Sequence, residues 1–126
     1  MQILLDSHVF IWWNGDPNNI SSLLRGAIRD PANQIFVSAA TVWEIAIKRA
    51  LGKLAFGGQI LGAVATHRFD LLAITGVHAE HAGDLPRHHN DPFDRLLIAQ
   101  AALEGMVFGT QDPLMRPYGI AMLGLP

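Results

Sequence analysis

Four acidic residues of this chain stand where apolar runs end. Asp6 closes the run Gln2–Leu5 (QILL), and Glu44 falls one turn into the helix expected after Gln34–Ser38 (QIFVS). Asp94 stands three residues after Asp91 in DPFD, and Asp112 follows Met106–Gly109 (MVFG) within the tripeptide Thr110–Asp112, TQD. Carboxylates drawn to one place repel each other unless a positive charge joins them, and hard divalent cations such as Mg²⁺ or Mn²⁺ prefer oxygen ligands. A cation held this way keeps some of its waters, engages a phosphate and activates water for in-line hydrolysis.

Taken singly, each acid also has a local explanation. Asp6 suits the cap of a helix beginning at Ser7, and Glu44 has Lys48 four residues on, a pairing that contributes about 0.3–0.5 kcal/mol on a helix surface. Asp91 has the N-cap residue type, Pro92 fits the first helical position, and Asp94 lies in the first turn, where the helix dipole favours negative charge. Asp112 suits a turn. The joint placement is what these local accounts leave unexplained, and Asp91, Lys48 and Thr110 are the neighbours best placed to assist. The remaining acids, Asp16, Asp30, Asp70, Glu80, Asp84 and Glu104, fall in turns or on polar helix faces and read as solvated charges. His88 and His89 precede the acidic helix within reach of a phosphate or base, but adjacent histidines in a Pro-flanked loop have a plainer reading as solvated side chains. His8, His67, His78 and His81 show no metal-binding spacing. Trp12, Trp13 and Trp43 read as core or subunit-contact residues.

The elements that must position these side chains alternate. Strands are expected at 2–5, 34–38, 71–75, 106–109 and 120–123, and helices at 7–13, 20–29, 40–51, 59–68, 78–84 and from Asp91 to Glu104, with Gly52 and Gly105 as stops. Strands separated by helices specify an α/β sandwich with a mainly parallel sheet, because parallel neighbours need crossover connections. Ligands of such sheets gather beyond the C-terminal strand ends, where all four acids would project.

Composition fits this picture. With 126 residues, 50% hydrophobic and 16% charged, the chain suits one globular domain, 1–126, and not a disordered tail. No apolar run approaches the roughly 20 residues of a membrane span, and the start MQILLDS lacks the basic segment of a signal peptide. There is no cysteine, which excludes disulfides and thiolate metal sites and makes the cytoplasm the expected compartment. A net charge of -2, from nine Lys and Arg against eleven acids, provides no overall positive field, so a nucleic acid partner would be held by local features.

LLDSHVFIWW, VSAATVWEIAIKRALGKL, DPFDRLLIAQA and the later TQD together resemble the four acidic motifs of the PIN-domain ribonucleases, in particular the VapC toxins of type II toxin–antitoxin pairs. The motifs occur in the family's order over nearly the whole chain, and the four family acids fall on Asp6, Glu44, Asp94 and Asp112, with Asp91 as a flanking acid. The resemblance implies a PIN-like three-layer sandwich, Mg²⁺- or Mn²⁺-dependent endoribonuclease activity, a homodimer, and a cognate VapB-type antitoxin. It further implies that a basic residue of the antitoxin's C-terminal segment reaches Asp6, Glu44 or Asp94 along a groove lined by Trp12, Trp13 and Phe56. One local departure is Gln111, where many relatives carry a basic residue before the fourth acid.

Three rival readings exist. A haloacid-dehalogenase phosphatase also places Asp after its first strand but needs a second Asp two residues later, where this chain has His8. A receiver domain needs paired N-terminal acids and a Lys after the last central strand, and neither is present. A catalytically weak PIN-like module that only binds RNA or protein is the third, and the presence of all four acids argues against it.

Overall fold

The computed structural model describes residues 1–126. Its centre is a five-stranded sheet, all parallel, in the order β3-β2-β1-β4-β5. The strands are β1 (Gln2–Leu5), β2 (Gln34–Ser38), β3 (Asp70–Leu72), β4 (Val107–Gly109) and β5 (Met122–Leu123). Helices α1 (Ser7–Gly15) and α2 (Ser22–Arg29) connect β1 to β2. Helices α3 (Ala39–Ala50) and α4 (Ile60–Thr66) lead to β3, and α5 (Gly76–Asp84) and α6 (Pro92–Glu104) lead to β4.

β1 is buried on both faces because helices cover both sides of the sheet, and this accounts for the unbroken apolar run ILL. Ile3 and Leu5 point to one layer with Phe10, Leu24, Val37 and Ile45, while Leu4 points to the other with Leu97, Ile98, Phe108 and Met115. Burying these side chains contributes on the order of 1.5–3 kcal/mol each, so the central strand is the most firmly held part of the sheet.

Several element ends differ from the sequence expectation, each for a local reason. Ser21 caps α2 by accepting from Leu24 N at 3.3 Å, so the helix begins at Ser22 and not at Ile20, which is buried. β3 ends at Leu72 because Thr75 is the cap of α5: its hydroxyl accepts from His78 N and its own N–H donates to His78 Nδ1, both at 3.1 Å. β5 is only Met122–Leu123, because the 3-10 turn Pro113–Tyr118 closes just before it at Gly119 with φ 69°; after it Gly124 turns at φ 115°, where a Cβ would run into the Thr110 carbonyl. That close approach matters because Thr110 N donates to Leu123 O at 3.0 Å, which fixes the residue that follows β4.

Candidate metal centre

Parallel strands deliver the four acids to one rim. β1 runs straight into Asp6, whose N–H donates to Gly109 O at 2.8 Å, continuing the β1–β4 ladder one residue past the strand and pinning the backbone where its carboxylate leaves the sheet. From the other side of that ladder, Thr110 Oγ1 donates to Asp6 Oδ2 at 2.7 Å, and Asp112 N donates to Thr110 Oγ1 at 3.1 Å. One hydroxyl therefore joins the first acid to the fourth. Asp6 also accepts from His8 N at 3.4 Å, so it caps α1 as its local reading required.

Glu44 enters from α3, which is set by the Ser38 cap and by a buried bond from Ser38 Oγ to Gln100 Oε1 at 2.5 Å. Lys48 Nζ meets Glu44 Oε2 at 2.6 Å, as the i,i+4 spacing predicts. The other oxygen, Glu44 Oε1, is buried and has no hydrogen-bond partner. An unpaired carboxylate oxygen in the interior is costly, and a cation is the partner that would satisfy it.

Asp94 is set by the opening of α6. Asp91 Oδ1 accepts from Phe93 N at 2.8 Å and from Asp94 N at 3.1 Å, so Asp91 starts the helix and the helix start aims Asp94 at the cluster. Asp6, Glu44 and Asp94 are 2%, 4% and 8% exposed, an arrangement rarely tolerated for unpaired acids. Burial pushes the Asp94 carboxyl up to about 8, with the charges of Asp6, Asp91, Glu44 and Asp112 adding to it. Burial likewise raises Asp6, against the opposing hydrogen bond from Thr110. Lys48 is raised by its bond to Glu44, with Asp91 and Asp94 also contributing. Since the fields of Asp6, Glu44, Asp91 and Asp112 all reach Asp94, the predicted residues form one electrostatic unit.

Residues 3–118 match the family described as the PIN domain. The chain belongs to the PIN-domain family. Ribonuclease VapC22 of Mycobacterium tuberculosis is 32% identical to it over 124 residues, covering 92% of this chain and 91% of that protein. Among solved structures, VapBC2 from Rickettsia felis bound to a promoter DNA fragment superposes with a TM-score of 0.69 at 14% identity, covering 98% of each chain. DNA-bound VapBC from Salmonella typhimurium gives 0.67 at 18% identity, covering 98% and 97%. These structures share the fold of this PIN domain, including the parallel sheet between helices.

Within this PIN domain the donor set fits a hard divalent cation: all acids are oxygen donors, and one buried oxygen awaits a partner. The structure also brings in a residue the sequence reading ranked low. His89 Nε2 lies 2.9 Å from Asp94 Oδ2, and donor atoms of His89, Asp94 and Asp112 lie within 4.8 Å of one another. Its loop is tied down by Arg95, which donates to Ala82 O at 3.0 Å, Leu85 O at 2.9 Å and Pro86 O at 3.0 Å, and by the Tyr118 hydroxyl, which accepts from His89 N at 3.0 Å. The sequence signal for this was the place of His88 and His89 just ahead of the acidic helix.

The aromatic groove expected from the resemblance is corrected. Phe56 is core, stacked on Phe10 with centroids 6.0 Å apart, and Trp13 packs on Phe69 and under Arg29. Trp12 alone of the three joins Asp6, His8, Gln111 and Asp112 in lining a cavity of about 340 Å³ beside the acids. Trp43 is not core but 61% exposed, edge-on to Phe93. Gln111, in place of a basic residue, clamps the chain before α2: Oε1 accepts from Ser21 N at 2.5 Å and Nε2 donates to Asn19 O at 3.0 Å.

Proposed function

We propose that this PIN domain is a metal-dependent endoribonuclease acting as the toxin of a VapBC-type toxin–antitoxin pair, with Asp6, Glu44, Asp94 and Asp112 holding Mg²⁺ or Mn²⁺ directly or through water. The observation that carries the reading is the set of buried carboxylates at one rim, Asp6, Glu44 and Asp94, with Glu44 Oε1 unpartnered and the charges of Asp6, Glu44 and Asp112 all acting on Asp94. Family membership and the likeness to a VapC ribonuclease along nearly the full chain support it. A divalent ion at such a site polarises a phosphate and acidifies its bound water.

The protein's own groups have definable tasks. Thr110 fixes the rotation of Asp6, Lys48 holds Glu44 Oε2 and leaves Oε1 facing inward, and Asp91 aims Asp94. Lys48 Nζ, its side chain 39% exposed, is also the ammonium best placed to meet a phosphate oxygen of RNA arriving at the rim. The same acids suit an Arg or Lys of an antitoxin, whose hydrogen bonds to carboxylate strengthen where water is excluded, and Trp12 offers the apolar contact beside them. The partners in this reading are an RNA substrate, a VapB-type antitoxin and a second copy of the chain, in the cytoplasm.

The deciding experiment is Asp94→Asn. The amide keeps the shape but loses the charge that the cation requires. RNA cleavage and growth inhibition are expected to disappear while the protein stays folded, and cleavage by Asp94→Asn at near the wild-type rate would refute the assignment.

A further inference from the structure

His89 is the one nitrogen donor that reaches Asp94, and its ring is constrained at both ends. Nε2 lies 2.9 Å from Asp94 Oδ2, while Nδ1 accepts a hydrogen bond from Asp91 N at 3.4 Å. The separation of 2.9 Å resembles the about 3 Å between adjacent ligands of an octahedral ion with bonds near 2.1 Å, so distance alone would allow direct ligation. The other ring nitrogen decides against it. A metal-bound imidazole keeps its proton on the far nitrogen and hands it to an acceptor such as a carbonyl or carboxylate. Here the far nitrogen faces the N–H of Asp91, which is a donor, so the Nδ1 lone pair is used there and the neutral ring carries its proton on Nε2.

We infer that His89 is a positioning residue: its Nε2–H donates to Asp94 Oδ2 and fixes the rotation of this carboxylate, which would leave the other oxygen free to hold a cation. The inference rests on the metal-dependent reading above. The surroundings are built for the task. Arg95 gathers carbonyls from Ala82 to Pro86, and Tyr118 receives His89 N, so the loop presents the imidazole from a fixed backbone. Asp91 acts twice, starting α6 with its carboxylate and fixing the His89 tautomer with its N–H. Groups outside a ligand shell that orient a ligand in this way commonly alter metal affinity or activity by about 10–100-fold.

The test uses Mn²⁺ and the full-length protein. Binding is followed by loss of the free-ion EPR signal, and the bound ion is probed by pulsed EPR for ¹⁴N coupling of a coordinated imidazole. His89→Leu is expected to weaken Mn²⁺ binding about 10–100-fold. His89→Gln, whose amide N–H reaches a similar distance, is expected to recover most of that loss. Tyr118→Phe, which keeps the imidazole and removes the hydroxyl that holds the His89 backbone and meets Arg95 Nη1, is expected to weaken binding by a smaller factor, with thermal melts confirming that each variant is folded. Wild-type Mn²⁺ showing a directly bound ¹⁴N that vanishes in His89→Gln would overturn the inference in favour of ligation, and unchanged affinity in His89→Leu would reduce His89 to a loop residue. A wild type that binds no Mn²⁺ would instead overturn the metal-dependent reading itself, and this inference with it.

Discussion

The two ends of the parallel sheet have opposite characters. At the N-terminal strand ends lies the larger hollow, about 490 Å³, bordered by Arg29, Asp30, Asn33, Gln34, Arg68 and Asp70. Its polar groups are mostly exposed and engage one another: Gln2 Nε2 donates to Gln34 Oε1 at 3.2 Å, and Gln34 Nε2 donates to Asp70 Oδ2 at 3.0 Å. At the C-terminal ends the hollow is smaller, yet three carboxylates are buried there and one oxygen lacks a partner. Volume therefore points to one rim and chemistry to the other. Several acids crowded away from water, with one oxygen left unpartnered and one carboxyl pushed far up by its neighbours, are the better guide to function, because folding alone gives no reason to gather them.

Substitutions at the two rims should separate sharply. Asp6→Ala is expected to reduce RNA cleavage by more than the about 100-fold that loss of an orienting group reaches, whereas Asp70→Ala should leave cleavage within about twofold and stability within about 0.5 kcal/mol. Comparable loss of cleavage from Asp70→Ala would dissolve the distinction between the rims.

Next in size is the response to metal. A ligand that binds only the folded state stabilises it by about 2.7 kcal/mol at a hundredfold excess over its Kd, which for a domain of this size raises Tm by roughly 10 °C. Mg²⁺ or Mn²⁺ should produce that shift in the wild type and in Asp70→Ala but not in an Asp6→Ala/Asp94→Ala protein. An equal shift in the double variant would locate cation binding elsewhere.

A smaller effect is expected from pH in the presence of chelator. Asp94 holds its proton more tightly folded, near 8, than at the ordinary 3.8. Its protonation therefore favours the fold fully below the ordinary value, and that contribution is lost as pH rises through about 8. Melting curves of the metal-free protein should thus fall by a few degrees between pH 7 and pH 9, and Asp94→Asn should flatten the slope. An unchanged slope in Asp94→Asn would assign the pH dependence to other groups.

Much of the architecture was legible because its signals are local. β1, β2 and α6 follow from apolar runs and from the DP start and Gly105 stop, and the rule that ligands lie beyond C-terminal strand ends sorted the four acids from the other seven. What escaped depends on partners distant in sequence. His78, which shows no metal-binding spacing in the sequence, is buried, with Nε2 2.7 Å from Glu104 Oε1 and Nδ1 3.3 Å from Gln100 Nε2. Glu104, read as a free surface charge, is that partner. His89 gains its role only when α6 turns Asp94 toward it, a geometry that no spacing between adjacent histidines encodes. Trp43 sits on an apolar stretch of α3, yet the face it occupies is left open.

The bond from Thr110 to Asp6 spans 104 positions and is the last tie the cluster needs from β4. Seen along the time axis of synthesis, this makes the site a late event. A ribosome that has released the chain through α6 has supplied Asp6, Glu44 and Asp94 but neither Thr110 nor Asp112, and β1, the central strand, still has an open edge where β4 will pair. A nascent chain interrupted before that point carries most of the acids but lacks the fourth acid and the Thr110 tie that joins it to the first, so the damaging activity proposed for this protein awaits the last part of the chain.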